Sequence, residues 1–182
     1  RTTVTVEKLN LAESIIHWDM ETMMPPKGVS LRSEQLALLS SVQHKMSTAP
    51  AIGKLLNTIL KHPQYETLSE VEKRNVHLIK KNYDEQTKLP TKLVGEIAKQ
   101  QAIAVNTWKK AKAAQNYALF KPELGKLVAL NKQAAAILRE VKQTRTPYDA
   151  LLDIYEPKIT SEKVAKIFAD LQQGLEKLLR KI

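Results

Sequence analysis

Apolar residues recur along most of this chain with the three- and four-residue spacing that is typical of α-helices. No segment shows the strict alternation of apolar and polar residues that marks a half-exposed β-strand. In the N-terminal segment one apolar stripe is formed by Val6, Leu9, Ala12, Ile16, Met20 and Met23. Further apolar residues lie on other sides of this helix, at Leu11, Ile15 and Trp18, which predicts that the helix is covered on more than one face. The pattern as a whole predicts an all-α protein.

Prolines and capping residues divide this pattern into separate helices. Pro25 and Pro26 end the first one, because a proline lacks the backbone donor and keeps the residue before it out of helical geometry. Ser69 and Glu72 have the spacing of a capping box, which opens a helix. Further helix starts are predicted near Ser30, Pro50, Pro90, Pro122, Pro147 and Thr160. Because no linker rich in Gly, Pro or Ser is present, the sequence predicts one helical region over residues 1–182, with seven or eight helices in antiparallel hairpins.

The same spacing marks the later helices. Apolar residues that carry the second helix are Leu31, Leu38, Leu39, Val42 and Met46, and the predicted buried side of the fourth helix is formed by Val76, Ile79 and Tyr83. The last helix carries an apolar stripe that reaches the final residue, at Val164, Ile167, Phe168, Leu171, Leu175, Leu178, Leu179 and Ile182. Because no glycine, proline or polar tail ends this stripe, we expect the chain to be part of a larger helical architecture.

The composition is that of a globular protein, with 43% hydrophobic and 26% charged residues among 182. The chain has no cysteine, which excludes disulfide bonds and thiolate metal sites. No apolar run approaches the roughly 18 residues of a membrane span. We therefore expect no membrane partner.

The net charge of +10 raises the question of a nucleic-acid partner. Between Thr91 and Thr146, lysines and arginines far outnumber the only acids, Glu96, Glu123 and Glu140. Helical spacing accounts for these lysines as the solvated faces of amphipathic helices. The chain also lacks the groove-reading and base-stacking signatures of nucleic-acid-binding modules. We therefore predict no nucleic-acid partner, and a basic nucleic-acid-binding helical protein is a less favoured alternative.

Few residues are arranged as catalytic or metal-binding groups. His17 and Glu21 are four residues apart and share a helix face, as in the zinc-binding H-E-x-x-H helix. The second histidine is missing, however, and none of the other histidines in the chain supplies it. No glycine-rich phosphate loop or strand-turn-helix serine elbow is present either. We predict no catalytic and no metal-ligating residue within this chain.

The segment HWDMETMMPPKG, residues 17–28, places acidic, aromatic and sulfur-containing side chains immediately before a double proline. Asp19 and Glu21 are two residues apart on a helix and do not face each other, so they do not form an acid/base pair. We expect Asp19 to be partly buried beside Trp18 and paired with Arg32 across the proline turn, because an unpaired buried carboxylate costs several kcal/mol. A substrate-facing role for either acid is the alternative.

This segment resembles the N-terminal signature of the carboxypeptidase Taq-type metallocarboxypeptidases, W-D-x-E-T-x-M-P-P-x-G followed by R-x-x-Q-L-A. The residues that fall on it are Trp18, Asp19, Glu21, Thr22, Met24, Pro25, Pro26, Gly28, Arg32, Gln35, Leu36 and Ala37. Two later stretches, WKKAKAAQNYALFKPELGKLVALNKQAAAILR and TPYDALLDIYEPKITSEKVAKIFADLQQGL, are similar to further segments of the same family. The resemblance covers nearly the whole chain. It departs at Lys112, Gly125 and the pair Lys158-Ile159, where the family tends to have Arg, Glu and Gly-Met.

The resemblance implies a larger all-α enzyme that releases C-terminal amino acids from peptides with broad specificity. In that family a divalent metal ion, zinc or cobalt, is held by two histidines of an H-E-x-x-H helix and a downstream glutamate. The metal polarises the scissile carbonyl and activates water. Such enzymes are usually cytoplasmic homodimers. None of the metal and catalytic residues can be placed on this chain, so the chain alone is expected to hold no cofactor and to be inactive.

Within such an enzyme we expect the first two helices to form an antiparallel hairpin that contributes to the wall of the peptide-binding groove or to the dimer surface. The structural signature of this hairpin is Trp18, Asp19, Glu21, Pro25, Pro26 and Arg32. In this hypothesis the two acids fix the turn by bonding Arg32 and the backbone amines that follow the prolines. The alternative function is a free-standing helical interaction module without catalytic activity.

Overall fold

The computed structural model describes residues 2–180, and all regular structure within this range is helical. The α-helices are α1 (Thr2–Thr22), α2 (Val29–Ser47), α3 (Pro50–Lys61), α4 (Glu70–Gln86), α5 (Thr91–Ala113), α6 (Lys121–Lys142), α7 (Pro147–Tyr155) and α8 (Ser161–Leu179). Two short 3-10 helices cover Pro63–Thr67 and Tyr117–Leu119. The prediction of an all-α protein with seven or eight helices is confirmed. None of the helices in this range is both long and apolar enough to cross a bilayer.

The predicted capping residues begin helices as expected. The Ser69 hydroxyl accepts a hydrogen bond from the N–H of Glu72, and the Glu72 carboxylate accepts one from the N–H of Ser69 at 2.9 Å. Thr160 caps α8 through its side-chain oxygen, and Thr146 forms a second capping box at the start of α7. These caps satisfy N–H groups that the first turn of a helix leaves without a partner.

Helix α5 ends at Ala113. Gln115 adopts a left-handed conformation with φ of 48°, which cannot continue a right-handed helix. The N–H of Asn116 then donates to the carbonyl oxygen of Ala111 at 2.9 Å. This bond satisfies a carbonyl group of the last turn, as in other left-handed helix ends.

The chain divides into two compact units, Arg1–Ala134 and Ala135–Ile182, with the boundary inside α6. In the first unit α2 is the central helix and packs against both α1 and α5. Glu34 near the start of α2 pairs with Lys99 of α5, whereas His44 near the end of α2 contacts Thr91 at the start of α5. The two helices are therefore antiparallel.

The side of α2 that faces its neighbours carries small and polar residues as well as leucine. Its buried residues are Ser33, Leu36 and His44. Leu31 and Leu38, two of the apolar residues that mark this helix in the sequence, are 60% and 65% exposed. The physical reason is the close approach of α5, where a Cβ added to Gly95 would lie 2.5 Å from the Oγ of Ser41. Large side chains do not fit at such an interface.

Two burial predictions are wrong within the first unit. Leu11, Ile15 and Trp18 of α1 are each more than 60% exposed, so the described residues cover α1 on one side and not on several. On α4, Ile79 is largely exposed while Tyr83 is half-buried. Among the described residues α4 makes its main helix contacts with α3 and α2, and these contacts leave Ile79 uncovered.

The second unit is stabilised by two carboxylates in its interior. The Nζ of Lys142 lies 2.7 Å from the Oδ2 of Asp153, and both side chains are largely buried. Asp149, which is 1% exposed, accepts hydrogen bonds from the N–H of Ser161 at 2.6 Å and from the N–H of Thr146 at 3.2 Å. Asp149 thus connects the N-terminal ends of α7 and α8.

Helix α8 leaves most of its predicted apolar stripe in contact with solvent. The members of the stripe that are 48–68% exposed are Ile167, Phe168, Leu171, Leu175, Leu178 and Leu179. Val164 is half-buried, and Ile182 lies outside the described residues. The remaining residues of the second unit therefore cover only the start of the stripe.

Lys158 has a left-handed backbone, with φ of 67°. An L-residue with a Cβ adopts this conformation at a cost of about 1–2 kcal/mol, whereas glycine adopts it freely. The glycine that the resembled family tends to have at this position suits that geometry. Lys158 keeps the turn nevertheless, and its N–H donates to the Oδ1 of Asp153 at 2.8 Å.

Candidate functional site

The proline turn between α1 and α2 is fixed by an ion pair. The Nε of Arg32 donates to the Oδ2 of Asp19 at 2.7 Å, and its Nη1 donates to the Oε1 of Gln35 at 2.8 Å. The Asp19 side chain is 21% exposed and the Arg32 side chain 31%. This geometry agrees with the pairing that the sequence predicted for Asp19 and Arg32. The carboxylate has its charge compensated within the hairpin.

The backbone amines of the turn find partners on the main chain. The N–H groups of Met23 and Met24 donate to the carbonyl oxygen of Asp19 at 2.9 and 2.8 Å, and the N–H of Gly28 donates to the carbonyl oxygen of Pro25 at 2.8 Å. The expectation that acidic side chains bond these amines is therefore corrected. The turn closes through carbonyl groups, as helix ends commonly do.

Gly28 immediately precedes α2, at a position with no room for a side chain. A Cβ at this position would lie 2.8 Å from the Cγ of Met24 and 3.1 Å from the carbonyl oxygen of Pro25. Real side chains do not approach so closely without moving a neighbour. The Gly28 carbonyl oxygen also accepts a hydrogen bond from the N–H of Arg32 at 3.0 Å. This bond belongs to the first turn of α2 and helps to position Arg32.

Glu21 has a different partner from the one we predicted. Its carboxylate pairs with the Nζ of Lys109 on α5, and not with Arg32. Both members of this pair are partly exposed. Glu21 therefore attaches the end of α1 to a helix that is distant in sequence, while Asp19 attaches it to α2.

The remaining signature residues lie at the surface of the hairpin. Trp18, Pro25 and Pro26 are exposed, and the main-chain oxygen of Trp18 accepts a hydrogen bond from the Thr22 hydroxyl at 2.7 Å. The arrangement contains two separate ion pairs and an exposed indole. It can fix helix positions and present an apolar surface, but it does not bring two acids together for acid/base chemistry.

His44 is a structural residue that the sequence did not single out. It is 8% exposed, its Nε2 lies 2.9 Å from the carbonyl oxygen of Gln86, and its Nδ1 lies 3.0 Å from the Oγ1 of Thr91. Because a carbonyl oxygen only accepts, the network assigns the ring hydrogen to Nε2 in the neutral form, leaving Nδ1 to accept from the threonine hydroxyl. His44 thus joins α2 to the end of α4 and the start of α5.

The described residues do not fit a metal centre. Within residues 2–180 no three His, Asp or Glu side chains come together as possible ligands. Glu21, the acid that shares a helix face with His17, is engaged by Lys109. We therefore assign no step of metal chemistry to these side chains.

Three carboxyl groups among the described residues have a pKa below the usual value. Hydrogen bonds from the capping serine lower the pKa of Glu72, and the side-chain amide of Gln100 is the main cause that lowers the pKa of Glu123. The backbone N–H of Ser161 is the largest cause that lowers the pKa of Asp149 to about 2. A general acid needs a raised pKa instead. These three groups act as hydrogen-bond acceptors in the fold.

Comparison with known proteins gives a consistent result over the whole chain. The model of the family described as carboxypeptidase Taq (M32) metallopeptidase matches residues 2–182. Thermostable carboxypeptidase 1 of Pyrococcus furiosus is 32% identical over 171 residues, which is 94% of this chain and 33% of that protein. Carboxypeptidase 1 of Bacillus subtilis is 30% identical over 171 residues, again 94% of this chain and 33% of the relative.

Solved structures show the same relationship. The crystal structure of BsuCP has a TM-score of 0.88 and 29% identity, and the similarity covers 97% of this chain and 35% of that one. Metallocarboxypeptidase 1 of Trypanosoma cruzi has a TM-score of 0.75 and 27% identity, covering 99% of this chain and 35% of that one. The chain thus spans about a third of the length of the relatives that it matches.

Proposed function

Because the chain belongs to the carboxypeptidase Taq (M32) metallopeptidase family, we propose that it is the N-terminal helical region of a metal-dependent carboxypeptidase. Such an enzyme releases C-terminal amino acids from peptides with broad specificity. The observation that carries the proposal is the family match over residues 2–182, together with coverage of about a third of the curated relatives. The zinc or cobalt ion and the groups that act with it belong to the remaining two thirds.

In this proposal the α1–α2 hairpin is a rigid wall element of the peptide-binding groove or of the dimer surface. Two ion pairs at the end of α1, Asp19–Arg32 and Glu21–Lys109, support a fixed position for it. The exposed apolar side chains of α1 and the apolar face of α8 support covering by further protein, because large exposed apolar patches usually mark interaction surfaces. The whole enzyme is a cytoplasmic homodimer in this proposal, as the family resemblance implies.

The test is a carboxypeptidase assay on peptides with a blocked N-terminus and a free C-terminus, with added Zn²⁺ or Co²⁺. It compares this chain with a family-length protein, meaning a protein of the relatives' full length that contains this chain. A chelator provides the control for metal dependence. We expect metal-dependent release of C-terminal amino acids from the family-length protein and none from the 182-residue chain.

Three results would overturn the proposal. The first is peptide trimming by the 182-residue chain alone, and the second is binding of a transition metal by its own side chains. The third is a protein of the relatives' full length that folds and binds metal but releases no amino acid, which would favour a helical interaction module without catalytic activity.

A further inference from the structure

An aromatic cleft of about 350 Å³ opens at the C-terminal end of α5. Its principal lining residues are Trp108, Lys112, Gln115, Asn116, Tyr117 and Phe120. The Trp108 side chain remains 45% exposed and Tyr117 61% exposed. The volume lies in the range of roughly 300–1,000 Å³ that is usual for ligand pockets, and aromatic walls with a few polar groups are typical of such pockets.

The cleft is formed by a backbone reversal that is held by hydrogen bonds. Gln115 turns the chain through its left-handed conformation, and the N–H of Asn116 returns to the Ala111 carbonyl oxygen. The side-chain oxygen of Asn116 then accepts the N–H of Ala118 at 3.0 Å, which starts the 3-10 helix Tyr117–Leu119. These bonds bring the second aromatic group back toward the first without a ligand, so the cleft is preformed.

The mouth of the cleft carries the positive charge of Lys112. Its Nζ lies 5.1 Å from the ring centroid of Trp108, within the range of a cation–π contact. No acidic side chain is among the described residues that line the cleft, and within the described part of the chain Lys112 forms no ion pair. Lys109, one turn earlier on α5, has its charge compensated by Glu21. The cleft therefore favours an anionic group beside an apolar one.

We propose that this cleft binds an acidic, proline-containing peptide segment. A carboxylate of the peptide pairs with the ammonium group of Lys112, and a proline ring packs between the indole of Trp108 and the phenol of Tyr117. Aromatic-lined grooves bind polyproline II segments because such segments are already extended and lose little entropy. The inference rests on the proposed function in taking a peptide as the ligand, and it adds a sequence preference.

A single-stranded nucleic acid fits the cleft less well than a peptide does. Sites for single strands combine several open stacking platforms with a row of positive charges along the backbone. Among the described residues Lys112 is the one cationic side chain that lines the cleft, so the cleft offers no row of positive charges for a nucleic-acid backbone. The chemistry of the cleft suits one carboxylate and one apolar ring.

The experiment uses the two tryptophans of the chain. Because Trp18 is exposed, a Trp18→Phe variant retains the fold and leaves Trp108 as the only indole reporter. The probe is a blocked peptide of alternating proline and glutamate, and the matched control peptide has lysine in place of glutamate. We expect saturable change in Trp108 emission with the acidic peptide and at least about tenfold weaker binding of the basic one, as for loss of a charge-assisted contact.

A matched pair of variants separates the lysine of the cleft from general charge. Lys112→Gln is expected to weaken binding by about fivefold to tenfold. Lys110→Gln removes the same charge from a neighbouring residue that does not line the cleft, and it should leave the affinity nearly unchanged. Isothermal titration of the unaltered chain provides a measurement that needs no tryptophan variant.

Three outcomes would overturn the inference: no binding of the acidic peptide in calorimetry at millimolar concentration, equal binding of both peptides, or tighter binding of an oligothymidylate than of the peptide. Binding is measured without turnover, so its failure is distinguishable from failure of the enzyme assignment. An inactive family-length protein that still bound the peptide would refute the proposed activity and not the cleft.

Discussion

Arg32 at the start of α2 donates its Nε hydrogen to the Oδ2 of Asp19 near the end of α1, at 2.7 Å. This bond joins the two helices that the proline turn reverses. Both side chains are partly buried, which places the pair between an exposed ion pair, worth about 0–1 kcal/mol, and a buried one, whose disruption costs about 3–5 kcal/mol.

We therefore expect Asp19→Ala to lower the free energy of unfolding by about 1–2 kcal/mol. Glu21→Ala is the matched control, because it removes a more exposed acid from the same helix end. That variant should cost no more than about 0.5 kcal/mol. Urea unfolding followed by circular dichroism measures both, and equal losses would show that the Asp19–Arg32 pair has no special role.

Replacement of His44 should lower the free energy of unfolding by more than its place on an amphipathic helix suggests. His44→Ala removes two hydrogen bonds to α4 and α5 and leaves a small cavity, so we expect a loss of about 2–3 kcal/mol. His77→Ala, at an exposed position of α4, is the control and should change the unfolding midpoint little. A similar midpoint for both variants would contradict the bridging role.

Two glycines in helices should respond to alanine in opposite ways. A Cβ added to Gly125 on α6 would meet none of the described atoms within 4 Å, so Gly125→Ala should stabilise by about 0.5–1 kcal/mol through helix propensity. At Gly95 the added Cβ would meet Ser41 at 2.5 Å and the Ala37 carbonyl oxygen at 3.2 Å. Gly95→Ala should therefore destabilise by about 1–3 kcal/mol.

A second change tests the cause at Gly95. Ser41→Ala removes the hydroxyl that lies 2.5 Å from the added Cβ but leaves the main-chain contact. The double variant should recover part of the lost stability relative to the sum of the two single changes. Strict additivity would mean that Gly95→Ala acts through something other than this contact.

Asp149 should make the second unit sensitive to acid. Its pKa is lowered from 3.8 to about 2, first by the backbone N–H of Ser161 and then by the Ser161 and Thr146 side chains. The Asp149 carboxylate therefore binds a proton more readily in the unfolded chain than in the folded one. Its contribution to the stability of the folded state is complete above the unfolded pKa. It is lost as the pH falls through the folded pKa.

The measurement compares the parent chain with Asp149→Asn in urea at several pH values from 5 down to about 2. The parent should be the more stable at pH 5, and the difference should shrink between pH 4 and pH 2. Asp170→Asn, at an exposed position on α8, is the control. A difference that stays constant over this range would contradict the assignment of the low pKa to Asp149.

Lys158→Gly should relieve backbone strain in the turn between α7 and α8. The φ of 67° costs a residue with a Cβ about 1–2 kcal/mol, and part of the gain is offset by the greater freedom of glycine in the unfolded chain. We expect a net stabilisation of about 0.5–1 kcal/mol in thermal unfolding. Lys158→Ala removes the same charge and keeps the strain, so a gain in that variant would point to charge instead.

Local signals explain which parts of the fold could be predicted. The bounds of α3 follow from Pro50 and Pro63, and the start of α4 follows from the capping box of Ser69 and Glu72. These signals act over a few residues, so the sequence contains them completely. The Asp19–Arg32 pair could be predicted for the same reason, since only a short turn separates the helices that carry its members.

Contacts between distant parts of the chain could not be predicted in this way. The Glu21–Lys109 pair spans 88 residues, and the partners of His44 are 42 and 47 residues away. Nothing in the neighbourhood of either residue indicates these partners. The aromatic cleft also depends on the left-handed backbone conformation of Gln115. A glutamine in the sequence does not predict that conformation.

The sequence by itself determined that this protein is helical, where most of its helices begin and end, and to which family it belongs, because propensity, caps and motif spacing are local properties. Only the tertiary structure decided which face of each helix is covered. Periodicity defines where apolar stripes lie, but burial depends on which neighbour approaches and how closely. At the α2–α5 contact Gly95 allows the two helices to approach so closely that large side chains do not fit between them. Leu31 and Leu38 therefore remain outside the buried face of α2.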